Sequence, residues 1–288
     1  MLTLTLPATL CNCCLPDGEI EGMPKTRKSG IAKPKDRYRI DAVDRALQML
    51  ELLADRPGLR VTDLAEAMQV SKALAFRLLH TLELRDYVAR DPEHRNNTLG
   101  FRVLHLAEKV EEENLLIRST APLMDQLAEL CREDVNLYVR TGRSAICIAS
   151  RASPHQVRMF AEVGRENHLH AGGSSTVLLA FAPDEIQRDV LKGELLPYTS
   201  QTLTDPADLR QRLAAVRSNG FHISRADVDD AGFSIAAPIF GHDGTVIAAL
   251  SIAGALTRLT DEAQRGHLAM VLDFAKRMSV RLGGVARY

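Results

Sequence analysis

Two stretches of the chain carry side chains whose types and spacing could recognise something. In residues 71–83, Lys72, Ala73, Phe76, Arg77, His80 and Glu83 share one face when successive residues are set about 100° apart around a helix. Basic groups there would find phosphates, and the first half of such a helix would reach base edges from the major groove. The second stretch is Gly172-Gly173-Ser174-Ser175-Thr176. Bare glycines ahead of hydroxyl residues at a helix start expose N–H donors, and these suit a carboxylate or another anion. Plainer readings stay open for both: a helical hairpin with a solvated face, and a tight turn with Ser174 as a cap.

The elements that must position the first face are legible around it. Thr62 reads as an N-cap, with Asp63 and Glu66 in the following turn and Leu64, Ala65 and Met68 as an apolar stripe. Gln69 and Val70 make a turn, and Ser71 caps a second helix. Leu74, Ala75, Leu78, Leu79 and Leu82 form its inner side. Residues 41–53 supply a preceding amphipathic helix, and residues 87–90 and 98–100 read as short strands around a turn-rich hairpin carrying Arg90 and Arg95. The expected DNA-contacting residues are Thr62, Ser71, Lys72, Ala73, Phe76, Arg77 and His80, with Arg90 and Arg95 on the wing.

A chain of 288 residues, 45% of them hydrophobic, holds one small and one larger domain with room for real cores. The net charge of −1 excludes a uniformly basic nucleic-acid binder, so affinity for DNA must come from local clusters. One such cluster spans residues 25–39, with seven Lys or Arg against one Asp; it fits an arm along phosphates or a solvated linker. Residues 1–37 read as a disordered tail bearing this arm, with Met23 an alternative start of translation. Cys11, Cys13 and Cys14 stand far from Cys131 and Cys147, too few and too scattered for a metal site. Without a secretory signal or an apolar run of about 20 residues, a cytoplasmic protein with no membrane span is expected.

Residues 101–119 read as one linker helix, and residues 120–288 as a mixed domain. In the latter we expect a helix at 123–131, strands at 136–140, 145–149 and 157–163, and helices at 174–181, 184–192 and 205–219. Strands at 221–224, 234–240 and 245–253 and a final helix near Thr260 follow, giving an antiparallel sheet with helices on its faces.

The residues of the first region, Ala46-Leu47 with Leu50, Leu64-Ala65-Glu66, Lys72, Arg77-Leu78-Leu79 with Leu82, Tyr87-Val88 and Leu99-Gly100, resemble the IclR (isocitrate lyase regulator) family of bacterial transcription factors. The resemblance runs from about residue 38 to the C-terminus. It implies an α+β protein: a winged helix-turn-helix over 38–100, the linker helix, and a GAF/PAS-like effector domain over 120–288. It also implies a double-stranded DNA operator, a small-molecule effector of the organic or aromatic acid class, a homodimer or homotetramer, and no cofactor. The expected ligand-binding residues are Asn167, Leu169, Gly172, Gly173, Ser174, Ser234, Ser251 and Ala253. Three departures stand out. Ala73, Leu74 and Phe76 replace the family's usual hydroxyl residues and histidine. Ser175-Thr176 stand where a lysine is usual, and Ala253 replaces one of two usual serines.

An enzymatic reading finds little support. Gly172-Gly173-Ser174-Ser175 is similar to the serine-rich signature of amidases but has no lysine partner, and neither a Gly-x-Ser-x-Gly elbow nor a phosphate loop occurs. His155, His168, His170, His222 and His242 offer metal-ligand types, yet His168 and His170 would alternate to opposite faces of an extended segment. No catalytic or metal-binding residue is expected. The alternative function is a metabolite sensor or acid-processing enzyme whose helix-turn-helix serves protein contact.

Overall fold

The computed structural model describes residues 38–285 except 92 and 160. The basic arm, Met23, Cys11, Cys13 and Cys14 lie outside the described residues, as does Pro92 of the wing hairpin. The chain divides between Gly100 and Phe101 into two compact units, each described by itself.

The N-terminal unit packs helices α1 (Asp41–Asp55), α2 (Val61–Ala67) and α3 (Lys72–Glu83) around Met49, Leu53, Leu64, Ala75, Leu79 and Leu82. Those positions recur every three or four residues, so each helix buries one stripe. Between α2 and α3, Gln69 adopts φ 55°, a left-handed conformation that turns the chain sharply. Ser71 then caps α3, its hydroxyl accepting from Leu74 N at 3.2 Å. Thr62 does not cap α2. The helix begins one residue earlier, with Arg60 as the cap residue, and the Asp63 carboxylate accepts from Arg60 N at 3.0 Å. An acidic side chain three residues past the true cap satisfies the free donor better than a threonine already inside the first turn.

Strands β1 (Val88–Arg90) and β2 (Asn97–Leu99) pair antiparallel as the wing. A third segment holds them: Leu59 bridges to Asn97, whose side-chain amide donates to Leu59 O at 2.8 Å. The wing is thereby fixed to the chain entering α2.

The C-terminal unit opens with two helices rather than one linker helix, α4 (Arg102–Glu113) and α5 (Leu115–Cys131). Asn114 separates them in an extended conformation, and its side chain caps α5 by accepting from Leu116 N at 3.0 Å and Ile117 N at 3.2 Å. The helix expected to start at residue 123 thus starts eight residues earlier and carries Pro122 inside it.

The sheet that follows has six antiparallel strands: β3 (Asp134–Thr141), β4 (Ser144–Arg151), β5 (Glu166–His168), β6 (His222–Arg225), β7 (Gly232–Phe240) and β8 (Val246–Ala255), in the order β5-β4-β3-β8-β7-β6. Strand alternation divides its side chains between two faces. Val135, Leu137, Ile235, Ile239, Leu250 and Ile252 pack with α5 and α9 (Asp261–Arg281). Ala145, Ala236 and Ala249 face α6 (Gly173–Ala180) and α8 (Pro206–Asn219), with α7 (Asp184–Lys192) beside them. The small residues on this second face let α6 lie close to the sheet.

Among the described residues of 157–163 no strand forms. Side chains hold this part of the chain instead: the Asp134 carboxylate accepts from Ser153 N at 2.7 Å ahead of it, and Arg258 donates to Val157 O at 2.9 Å. Among the described residues no helix is long and apolar enough to cross a membrane.

Candidate functional site

On α3, Lys72, Ala73, Phe76, Arg77 and His80 are all exposed, and Glu83 is half-buried at the helix end. Phe76 is 51% exposed and stacks on His80, with ring centroids 6.1 Å apart and planes within 4°. The two rings form a flat apolar surface between the cations. Among the described residues Lys72 and Arg77 make no ion pair; exposed cations without acidic partners keep their charge for an external anion. Arg90 and Arg95 are exposed on the wing, where Arg95 has φ 54°; the Asp91 carboxylate braces the hairpin through Glu93 N at 2.8 Å and the His94 ring at 2.8 Å.

In the C-terminal unit a cavity of about 470 Å³ lies between the sheet and the start of α6. Of the expected residues, Asn167, Gly172, Gly173, Ser174, Ser234, Ser251 and Ala253 line it. Leu169 does not. It is 1% exposed and packs into the core beneath α6 and α8, because the chain turns directly after β5 and sends it inward. That turn also brings His168 and His170 to the same side, with rings 5.9 Å apart and both beside Tyr198. Burial holds both histidines below the usual imidazole range and pushes the Tyr198 and Tyr138 hydroxyls up.

The start of α6 is built with little slack. Gly172 has φ 88°, a conformation open to glycine, and its N–H donates to the Asp227 carboxylate at 3.3 Å. A Cβ on Gly173 would lie 2.9 Å from Ser234 Cβ and 3.1 Å from Ser234 O, so the bare backbone is what lets α6 approach β7. Thr176 N is the first amide to bond along the helix, to Gly172 O at 3.1 Å. The donors before it point out of the helix end. Ser174, 4% exposed, has an Oγ with no partner among the described residues.

Several lining residues carried no signal in the sequence. Asn136 is buried on β3, and its Oδ1 accepts from Ser150 Oγ at 2.7 Å, which turns the amide nitrogen toward the cavity. Asp227 accepts from Ser224 Oγ as well as from Gly172, and Arg212 stands 3.9 Å from it. Its loop is held by Thr202, whose hydroxyl donates to Asp227 O at 2.7 Å. Tyr138, Arg165, His168 and Tyr198 complete the upper walls, with Arg165 paired to Glu162 at 3.3 Å.

An α3 face with free cations beside a wing, followed by a domain with an enclosed polar cavity, is the layout of a ligand-responsive DNA-binding protein. Comparison with known proteins agrees. Residues 42–92 match the family model described as the IclR helix-turn-helix domain, and residues 109–280 match that of the bacterial transcriptional regulator IclR C-terminal domain. The chain belongs to the IclR family. The HTH-type transcriptional regulator BhcR of Paracoccus denitrificans is 30% identical over 260 residues, covering 90% of this chain and 92% of that protein. The solved IclR regulator of Alicyclobacillus acidocaldarius superposes with a TM-score of 0.78 at 25% identity, over 85% of this chain and all of that one. An IclR homologue from Microbacterium hydrocarbonoxydans, solved with 4-hydroxybenzoate, gives 0.72 at 23% identity, over 84% and 98% of the two chains. The relatives are named as transcriptional regulators, and the IclR chain described here is a DNA-binding regulator rather than an enzyme.

Proposed function

We propose that this regulator reads a double-stranded operator with Lys72, Ala73, Phe76, Arg77 and His80, while Ser71, Arg90 and Arg95 meet the backbone. A small organic or aromatic acid in the C-terminal cavity would control it. What carries the reading of the effector is the unpartnered, buried Ser174 hydroxyl at the open end of α6. A buried polar atom without a partner costs free energy, and a ligand oxygen arriving there offsets that cost while meeting the helix donors. Asn136, Ser234 and Ser251 stand ready to bond the rest of such a ligand. An aromatic acid has been seen within this fold in the 4-hydroxybenzoate complex.

Assembly into a homodimer or homotetramer is part of the same proposal. Val43 and Leu47 of α1, and Leu104 and Val110 of α4, are more than half exposed, and no residue of α4 is buried. A second copy covering these apolar side chains would also pair two recognition helices for two half-sites.

The experiment is a thermal-shift screen of organic and aromatic acids on the full chain, followed by operator titration with and without each acid that binds. Lys72→Ala and Arg77→Ala should each weaken operator binding by roughly 1 to 3 kcal/mol. Unchanged operator affinity in both variants removes the assignment of α3, and a screen in which no acid raises the melting temperature removes that of the cavity.

A further inference from the structure

The charges around the cavity do not suit a simple anion. Its lining carries three carboxylates, Glu162, Asp227 and Asp229, against one guanidinium, Arg165, and His168 is kept neutral by burial. Two of the acids are answered within the chain: Glu162 by Arg165 at 3.3 Å, and Asp227 by Gly172 N, Ser224 and the nearby Arg212. Asp229 is not. Its Oδ1 accepts from Ala231 N at 2.8 Å, and among the described residues no cation pairs with it. It sits on the exposed 228–231 stretch with its Cβ close to Gly232, which Met159 of the lining also approaches. The same lining includes the start of α6 with the unpartnered Ser174 hydroxyl, a place for negative charge, and the loop that carries Asp229 adjoins it through Val228, which lies against Gly172. The cavity is thus polar in two senses, with donors at the start of α6 and an unanswered carboxylate on the adjoining loop.

We propose that the effector is a zwitterion of the amino-acid type, its carboxylate at the start of α6 and its ammonium group at Asp229. This rests on the reading that the cavity takes an acid, and it narrows that class. A plain carboxylate would leave Asp229 unanswered and bring like charge into a lining that already carries an excess of it. An amine alone would leave the α6 donors and Ser174 without a partner. Only a ligand with both groups satisfies the α6 donors and Asp229 together, and a cavity of this volume holds an amino acid with a side chain of several atoms.

The test is calorimetry on the full chain with pairs differing only in the amino group: alanine and propanoate, leucine and 4-methylpentanoate, glutamate and glutarate, phenylalanine and 3-phenylpropanoate. In at least one pair the amino acid should bind roughly tenfold tighter or more than its partner. Asp229→Asn keeps an acceptor for Ala231 N but loses the charge. It should bring that pair within roughly threefold while leaving the plain acid's affinity unchanged. A plain acid that binds as well as its amino partner in every pair overturns the zwitterion and leaves the acid reading standing. Phenethylamine binding as tightly as phenylalanine shows that the α6 end takes no carboxylate and overturns both, as does an absence of binding by every compound. A preference for the amino acid that survives Asp229→Asn overturns the assignment of the ammonium to Asp229.

Discussion

The recognition face on α3 and the cavity under α6 are built to opposite rules. On α3 the cations are exposed, come from a single twelve-residue helix, and make no ion pair among the described residues. Around the cavity the polar groups come from different strands and loops, and several of them are buried and already held by a neighbour: Asn136 by Ser150, Asp227 by Ser224 and Gly172. An exposed face can change its residues at little cost to folding, whereas a buried polar site shares its bonds with the fold.

The sharpest way to break this contrast is to remove a buried charge partner in the C-terminal unit. Arg258 makes two parallel bonds of 2.6 Å to Glu133, which is itself 4% exposed, and also donates to Val157 O. Arg258→Ala leaves that carboxylate buried and alone, so we expect a loss of about 3 kcal/mol in denaturant unfolding. The double variant Arg258→Ala/Glu133→Gln should recover part of it. By contrast Asp91→Ala, which breaks the exposed pair with His94 on the wing, should leave the melting curve where it was. Equal losses in the two variants would erase the distinction.

Next in size comes Gly173→Ala. The added methyl has no room against Ser234 and its backbone, and α6 must move off β7, which costs roughly 1 to 3 kcal/mol as overpacking. We had no reason from the residues alone to separate this close approach from a pocket left open for ligand. The structure shows the close approach, and a stable Gly173→Ala protein with normal effector response would show that the approach is not tight.

How the two sites could be read in the sequence follows the same division. The α3 face was legible because everything it needs lies on one helix that starts just after Ser71, and a periodicity of 3.6 separates inside from outside. The wing strands were legible from their turn, but their anchor to Leu59 depends on a contact 38 residues away in sequence. In the cavity only the Gly172–Ser174 segment stood out. Asn136, Tyr198 and Asp227 reach it because the order β4-β3-β8-β7-β6 folds distant segments side by side, and nothing local marks them. Residues 157–163 misled for a clear reason: Val157, Met159, Ala161 and Val163 alternate as a strand would. Here the alternation places Met159 and Ala161 on the cavity and leaves Val157 and Val163 exposed.

A smaller and graded effect should appear with pH. His222 is buried beside the cavity loop, and burial together with Arg212 pushes its imidazole down to about 4. Its folded value lies below that of the unfolded chain, near 6.5, so the unfolded state binds the extra proton between those limits. The stability this group contributes is complete above pH 6.5 and is lost as the pH falls towards 4, at up to about 1.4 kcal/mol per pH unit. His168 and His170 shift in the same direction and for the same reason, burial. Melting of the full chain from pH 7 to pH 5 should therefore fall, and His222→Gln should flatten the slope. A slope unchanged in that variant would mean that His222 is hydrated in solution.

The smallest expected change tests whether one residue serves both rules. Ser71 is a cap by geometry and a proposed phosphate contact by position: its oxygen accepts from Leu74 N, which leaves the hydroxyl proton free to donate outward. Ser71→Ala removes both functions and should cost about 1 kcal/mol of stability, with a further loss of operator affinity. Ser71→Asp separates them, because a carboxylate caps a helix at least as well and also favours the helix N-terminus, yet it sets a negative charge where a phosphate would lie. The variant should melt at or above the parent temperature and bind operator far more weakly, most visibly at low salt, where charge repulsion is least screened. Full operator affinity in Ser71→Asp would take the N-terminus of α3 away from the DNA backbone. The contacts at Lys72 and Arg77 would then have to be made from a helix that enters the groove by its middle.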